Sequence, residues 1–356
     1  MKKQSNHRIG IYSLSSDSKT IDSPVLFKRI NILTICLLFL VNTLQAQKIY
    51  PGKASKIEAG ISADFPYESK YINIGVHKIH YVESGEGDPV LLLHGFPSST
   101  YVWRNVINKI DTKKRVIAID FLGFGKSSFP ENRNVSAEAQ YQMLVDFIKA
   151  KELENLTFWI HDLGSIVGMM YATRVPENVK GIAMFEAPFM PTSYFYKYLP
   201  LNLKLVMRLT KSPKKAKKLY VEKNYVGKKF PQILTKRKLS KEELAEYAAP
   251  FENKERRYAA LYGPDPAQMF AKKGKGKSEF EKLINGLAEQ FKQTDIPILY
   301  FYAKTGFLNR KKGVAYAREH FKNYEEFYVG KGKHFLTESH PQKMSEVFNN
   351  WYQSLK

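Results

Sequence analysis

Three residues stand where this sequence could do covalent chemistry. Asp162 lies in Trp159-Ile-His-Asp-Leu-Gly-Ser165, at the junction of an apolar run and a helical pattern, with glycine two places on. A nucleophile elbow needs that arrangement. The turn is sharp, small neighbours relieve crowding, and the reactive group is lifted above the sheet at a helix N-terminus. A lone Asp at such a junction can also be a helix cap, but two further groups give it partners. Glu186 ends the apolar run Gly181-Ile-Ala-Met-Phe185, and His334 lies in Gly330-Lys-Gly-Lys-His334-Phe335. An imidazole can activate water, and a carboxylate behind it can orient the ring and stabilise its charged form. Ser165 falls one helical position inward of the turn, the wrong spacing for a nucleophile. His161 precedes Asp162 and, by strand alternation, is expected to point the other way and be structural.

Leu93-His94-Gly95-Phe96-Pro97 closes an earlier apolar run. A tight turn would explain Gly95 and Pro97, but the backbone N–H groups of Phe96 and Leu163 are also expected to face each other as the two donors of an oxyanion hole. The glycine-containing turn Asp120–Ser127 is read as structural. No metal-ligand spacing is present, and neither metal nor organic cofactor is expected.

These residues must be positioned by a sheet. Residues 71–83 alternate apolar and polar, as half-exposed antiparallel strands do. Pro89–His94, Arg115–Asp120, Leu156–His161 and Val179–Phe185 read as strands buried on both faces, with helical patterns at Ser99–Ile110, Ala137–Ala150 and Ser165–Arg174 between them. Strands alternating with helices predict an α/β fold: a mostly parallel twisted sheet with helices on both faces. The alternation stops over residues 189–290, where helical patterns rich in Lys, Tyr and Pro carry 23 basic and 10 acidic residues. It resumes with a strand at Ile296–Ala303, a helix at Gly313–Phe321, a strand at Glu325–Gly330 and a helix at Pro341–Leu355. The expected organisation is a leader at 1–47, a core at 48–188, an inserted helical cap at 189–290 and the rest of the core at 291–356. An insertion at that point lies over the C-terminal ends of the strands, where open α/β sheets bind ligands.

The chain has 356 residues, 44% hydrophobic and 13% aromatic, which excludes disorder as its main state. One cysteine excludes a disulfide scaffold or a Cys-based zinc module. Lys and Arg total 56 against 34 acidic residues, a net charge of +22, which reads as a solvated basic face with weak attraction for polyanions rather than a nucleic-acid site. Lys28-Arg29, the twelve-residue apolar run Ile30–Val41 and the small, polar segment Asn42–Gln47 have the form of a secretory leader cut near Ala46 or Gln47. The run is too short to span a bilayer. The protein is expected to be secreted or periplasmic, without a stable membrane anchor and, once Cys36 is removed with the leader, without cysteine. The stretch before Lys28 is long for a leader, and translation is expected to start near Val25 or Leu26.

From about residue 65 onward the chain resembles the α/β-hydrolase superfamily, and within it the haloalkane dehalogenases. The matching stretches are HGFPSSTYVWRNVI, IDFLGFGKS, HDLGSIVGMMYA, VKGIAMFEA, RKLSKEELAEYAAPF and GKGKHFLTESHP. The resemblance implies an α/β-hydrolase fold with a helical cap and an Asp–His–Glu triad of Asp162, His334 and Glu186. Asp162 would attack an alkyl carbon and His334 would help water to hydrolyse the resulting ester. Small hydrophobic molecules and water are the implied partners. Dehalogenases of this kind usually place Asn after His-Gly and Trp after the nucleophile, and both side chains donate to the departing halide. Here Phe96 and Leu163 hold those positions and have no side-chain donor. His-Gly-Phe-Pro also resembles the corresponding turn of epoxide hydrolases, which need cap tyrosines as proton donors, and the cap offers Tyr194, Tyr196, Tyr198, Tyr220, Tyr225, Tyr247, Tyr258 and Tyr262. Epoxide hydrolysis, and binding of a ligand without turnover, are the alternative readings.

Overall fold

The computed structural model describes residues 47–355 except 51–56, 112, 195–207, 209, 211, 263–277 and 309–310. The apolar run of the leader, together with Tyr196 and Tyr198, lies outside the described residues.

Among the described residues nine strands form one sheet: β1 (Gln47–Tyr50), β2 (Lys70–Ile74), β3 (His77–Ser84), β4 (Pro89–Leu93), β5 (Arg115–Ile119), β6 (Leu156–His161), β7 (Val179–Phe185), β8 (Ile298–Ala303) and β9 (Tyr324–Gly330). Their spatial order is β1-β9-β8-β7-β6-β4-β5-β3-β2, and every pairing is parallel except those of β3 with β2 and with β5. The alternating segment 71–83 is a hairpin, β2 and β3, with Ile72 opposite Ile79. Gly75 takes φ +56° at its turn, a conformation open to glycine at little cost. β1, which the sequence did not announce, adds an edge strand beside β9.

The apolar runs are continuous because the central strands are covered on both sides. Leu91, Leu93, Ile117, Phe158, Ile160, Ile182 and Met184 face one layer; Val90, Leu92, Trp159, Ala183, Phe185, Leu299 and Phe301 face the other. The period of two sorts them. On the first side lie α1 (Ala137–Ala150) and α2 (Leu163–Arg174), which pack on each other. On the second side lies α7 (Pro341–Gln353), whose Phe348 stacks on the fully buried Trp159 at 4.5 Å.

The expected helix at Ser99–Ile110 is shorter, a 3₁₀ turn over Thr100–Trp103 continuing as one α-turn through Ile107. Across the insertion the described residues contain helices and turns but no strand. The main helices are α3 (Tyr225–Leu234) and α4 (Lys241–Ala248), which pack together. The last helix of the expected cap, α5 (Glu279–Phe291), packs directly on α2 and buries Ile284, Leu287 and Phe291 in the core. That helix therefore belongs to the layer covering the sheet, because its apolar stripe meets the core rather than the cap. A further helix, α6 (Lys311–His320), precedes β9.

β4 has β5 on one side and β6 on the other, so the winding direction reverses between β4 and β6. In open α/β sheets that reversal opens a crevice at the C-terminal strand ends. The loop beginning at His94 and the turn at Asp162 both emerge there.

Two glycines test this packing. A Cβ on Gly164 would stand 2.3 Å from the Leu93 carbonyl oxygen and 2.7 Å from that of His94, both backbone atoms that cannot yield. Gly164→Ala is expected to destabilise the protein by about 3 kcal/mol or more. Gly286, within α5, has nothing within 4 Å of a new Cβ, and Gly286→Ala is expected to stabilise by about 0.5–1 kcal/mol. Urea unfolding of both variants checks the contrast.

Candidate active site

β6 runs apolar to its last residue and α2 begins at Leu163, so a single residue must reverse the chain. That residue is Asp162, at φ 49° and ψ −115°. A non-glycine residue held there costs about 1–3 kcal/mol and persists only where its surroundings enforce it. They do so from two sides. The first turn of α2 presses on the end of β4 at Gly164, and a Cβ on Gly95 would lie 2.4 Å from Asp162 Cβ. The carboxylate rises at the crevice with its side chain 19% exposed, enough to be reached.

Asp162 Oδ1 accepts a 2.8 Å hydrogen bond from the Phe96 N–H. Phe96 presents this N–H from a turn with a cis Phe96–Pro97 bond. Its ring packs edge-on against Phe124. Leu163 opens α2 immediately beyond the carboxylate, and its side chain is buried. The turn that carries Phe96 is locked from below. The Phe121 N–H donates to His94 Nε2 at 3.1 Å, which leaves Nδ1 to donate to the Gly95 carbonyl at 2.9 Å. Asp120 accepts from Thr100 N–H, Lys126 N–H and His80 Nδ1 at 2.7–2.8 Å. Its burial would raise its pKa, but the His80 contact and the other donors outweigh it and hold the carboxyl below its usual range. The loop after β5 is therefore a brace for the site, as the sequence suggested.

His334 and Glu186 complete the group. Glu186, itself at φ 47° past the end of β7, is buried. Its carboxylate accepts from the Phe307 and Leu308 N–H groups at 2.5–3.0 Å and lies 3.2 Å from His334 Nδ1. His334 Nε2 then faces Asp162 Oδ2 at 3.5 Å. The carboxylate behind the imidazole puts a proton on Nδ1 and leaves Nε2 able to take one on the side of Asp162. The amides of Phe307 and Leu308 gave no sequence signal, since a backbone donor has no residue signature.

His161 lies where strand alternation places it, on the face of Trp159 and Phe185. Its ring is fully buried with its centroid 4.4 Å from that of His334, stacked on Phe185 at 4.5 Å. Asp162 leaves the strand at φ 49°, and the loop of His334 descends onto the face that His161 occupies. Neither His161 nitrogen reaches a partner at full hydrogen-bonding geometry, although the nearby His334 backbone favours a proton on the ring. Burial first, then the charges of His334 and His94, push its pKa well below the ordinary value. Ser165 is fully buried inside α2.

Residues 88–341 match the family model described as alpha/beta hydrolase fold. The chain belongs to that family. This hydrolase is 28% identical over 277 residues to a haloalkane dehalogenase of Agrobacterium fabrum strain C58, covering 77% of this chain and 88% of that protein. It is 26% identical over 294 residues to a haloalkane dehalogenase of Mycolicibacterium smegmatis, covering 81% and 91%. Among solved structures, a haloalkane dehalogenase from Agrobacterium tumefaciens C58 superposes with a TM-score of 0.74 at 24% identity, covering 81% of this chain and 97% of that one, a likeness of fold. The hydrolase is thus haloalkane dehalogenase-like in sequence along most of its length.

The cap tyrosines divide. Tyr247 directs its hydroxyl to Glu338 Oε1 at 2.5 Å, and the exposed Tyr194 packs on Tyr316. Tyr225 packs edge-on against Phe230.

Burial also lowers the pKa of His94, ahead of opposing contributions from Asp120, the Gly95 carbonyl and Asp162. Both His94 and His161 are therefore neutral when folded and take up a proton when unfolded, at about pH 6.5. As pH falls below that value the unfolded chain binds protons the folded chain refuses, and stability falls by up to about 1.4 kcal/mol per pH unit for each imidazole. Urea titrations at pH 7, 6 and 5 should show this loss, and His161→Phe should reduce its slope by close to one proton. An unchanged slope would mean that His161 is charged in the folded protein.

Proposed function

We propose that this hydrolase cleaves a bond from saturated carbon to a leaving group by way of an ester on Asp162, in the manner of a haloalkane dehalogenase. One observation carries the reading: the two oxygens of a single carboxylate have different partners. Oδ1 accepts from the Phe96 N–H, while Oδ2 faces the imidazole that Glu186 orients.

In the first step Oδ2 attacks the carbon that bears the leaving group. The C–O bond forms as the carbon–halogen bond breaks, and the halide departs with the bonding pair. In the second step water attacks Asp162 Cγ and gives a proton to His334 Nε2. Negative charge builds on Oδ1, where the Phe96 N–H is already aimed; one such donor contributes about 10²–10³ in rate. The intermediate collapses by breaking the Cγ–Oδ2 bond. The alkoxide takes the proton from the imidazolium and leaves as alcohol, and Asp162 loses its remaining proton to solvent. A carboxylate suits this chemistry better than acyl transfer, where it would form a mixed anhydride no more stable than the substrate.

The second reading is epoxide hydrolysis, favoured by Phe96 and Leu163, which give a departing halide no side-chain donor. Ring opening of an epoxide uses the same Asp162 ester but needs an acid for the alkoxide. The cap rather than these two positions would supply it. Under either reading the leader implies that the reaction takes place outside the cytoplasm.

Purified protein without its leader should release bromide from primary bromoalkanes of two to six carbons; diol from terminal epoxides without bromide release would select the second reading. Asp162→Ala should abolish both activities. His334→Gln should slow turnover by about 10²–10⁴-fold and accumulate the ester, seen as added mass on the peptide containing Asp162. A single turnover in ¹⁸O-water should label Asp162 in the native enzyme. An Asp162→Ala variant with native activity would refute the mechanism.

A further inference from the structure

The loop that carries His334 rests on the cap as well as on the core. Phe335 N–H donates to the Leu234 carbonyl at 3.1 Å, at the end of α3, and Lys333 Nζ donates to the Ile233 carbonyl at 2.9 Å. Tyr247, in α4, stacks on Phe335 at 5.6 Å. Beneath these contacts four charged side chains and a phenol close into one buried network around Glu338, four residues past His334. Arg104 of the core donates to both Glu338 oxygens at 2.5 and 3.0 Å and to Glu243 at 2.7 Å. Arg237 of the cap donates to Glu338 Oε2 at 2.5 Å, to the Glu338 carbonyl at 2.6 Å, and to both oxygens of Glu243. Glu243 also closes the capping box of α4 with Ser240. Burial and the Glu338 charge push the Tyr247 pKa well above its ordinary value, so its phenol keeps its proton and serves as donor.

Two guanidinium groups balance two carboxylates, and Glu338 is fully buried. Such a network is a poor source of net stability, since removing four charges from water offsets much of their attraction. It is a good source of geometry, because guanidinium forks and carboxylates match in only a few arrangements. Nothing in the chemistry of Asp162 requires charge at this place. What the network does is fix the far end of the His334 loop to α4.

We propose that Arg237 and Glu243 of the cap are positioning residues for His334, holding through Glu338 the loop that carries the imidazole. This rests on the Asp162 ester mechanism and adds a condition to it. The attack by Asp162 does not use His334, whereas hydrolysis of the ester does. Loosening the network therefore slows the second step more than the first. The contacts of α3 and α4 are thereby coupled to the competence of the base.

The test uses Arg237→Gln, which alters the most exposed charged member of the network at 15% exposure, and Tyr247→Phe, which removes one donor to Glu338 and keeps the ring. Hydrogen–deuterium exchange is read in the full-length mature protein. Exchange through residues 331–340 should rise about tenfold in Arg237→Gln, with strands 89–93 and 156–161 unchanged. Single turnovers with 1-bromobutane and with styrene oxide, followed by intact mass, then compare ester formation with ester breakdown. Breakdown should slow by about 10–100-fold in Arg237→Gln while formation stays within about threefold, and Tyr247→Phe should do the same more weakly. Arg237→Lys should restore breakdown only in part, because an ammonium cannot reach both carboxylates as a fork does.

Exchange through 331–340 that matches the native protein in both variants overturns the proposal. So does an equal fall in formation and breakdown, which would mark a general structural role. If the native protein forms no ester with either probe, the Asp162 mechanism fails instead, and the exchange measurement still decides whether the network holds the loop.

Discussion

The structure depends on a close approach: the first turn of α2 lies against the end of β4 with no room for a side chain between them. A Cβ at Gly164 would be 2.3 Å from the Leu93 carbonyl oxygen, and one at Gly95 would be 2.4 Å from Asp162 Cβ. Because helix and strand meet so tightly, the chain must reverse within one residue, and that residue must accept a left-handed backbone. The strain at Asp162 and the lift of its carboxylate are one fact seen twice. The same approach brings the Phe96 N–H to 2.8 Å from Oδ1. A looser contact would relax the turn and separate the carboxylate from its donor.

Around that point the groups are arranged in shells of decreasing reactivity. His334 is oriented by Glu186, Glu186 is held by the amides of Phe307 and Leu308, and the turn of Phe96 is braced by His94 and Asp120. Each polar group in the series is buried with a partner, which is the condition for keeping it inside at all. His161 differs. It sits under the His334 ring in apolar surroundings, which keep it neutral and limit the charge next to the imidazole. The cap enters the same series from the other side through Arg237, Glu243 and Glu338.

Much of this was legible in the residues. The strands Leu156–His161 and Val179–Phe185 coincide with their apolar runs because both faces of the sheet are covered, so every position is under the same demand. Asp162, Glu186 and His334 could be singled out because each ends or follows such a run, and the C-terminal strand ends lie along one edge. Other features were not legible. β1 is four residues long and has no periodicity to detect. α5 reads as part of a helical insertion, and only its contacts with α2 show that its apolar stripe belongs to the core. Alternation put His161 on the face of Trp159 and Phe185, but no local pattern announced that the His334 ring would rest beside it.

By itself the sequence determined which residue types stand at the strand ends, the burial pattern that makes a parallel sheet, and a carboxylate at the elbow in place of a hydroxyl. Those are local properties, carried by side-chain chemistry and a repeat of two or about four residues. Only the tertiary structure decided the distances. Asp162 and His334 are 172 positions apart, and Glu338, beyond the insertion, meets Arg104 from before it and Arg237 from within it. Backbone amides and paired charges acquire a role through where the fold brings them, and no local pattern encodes that meeting.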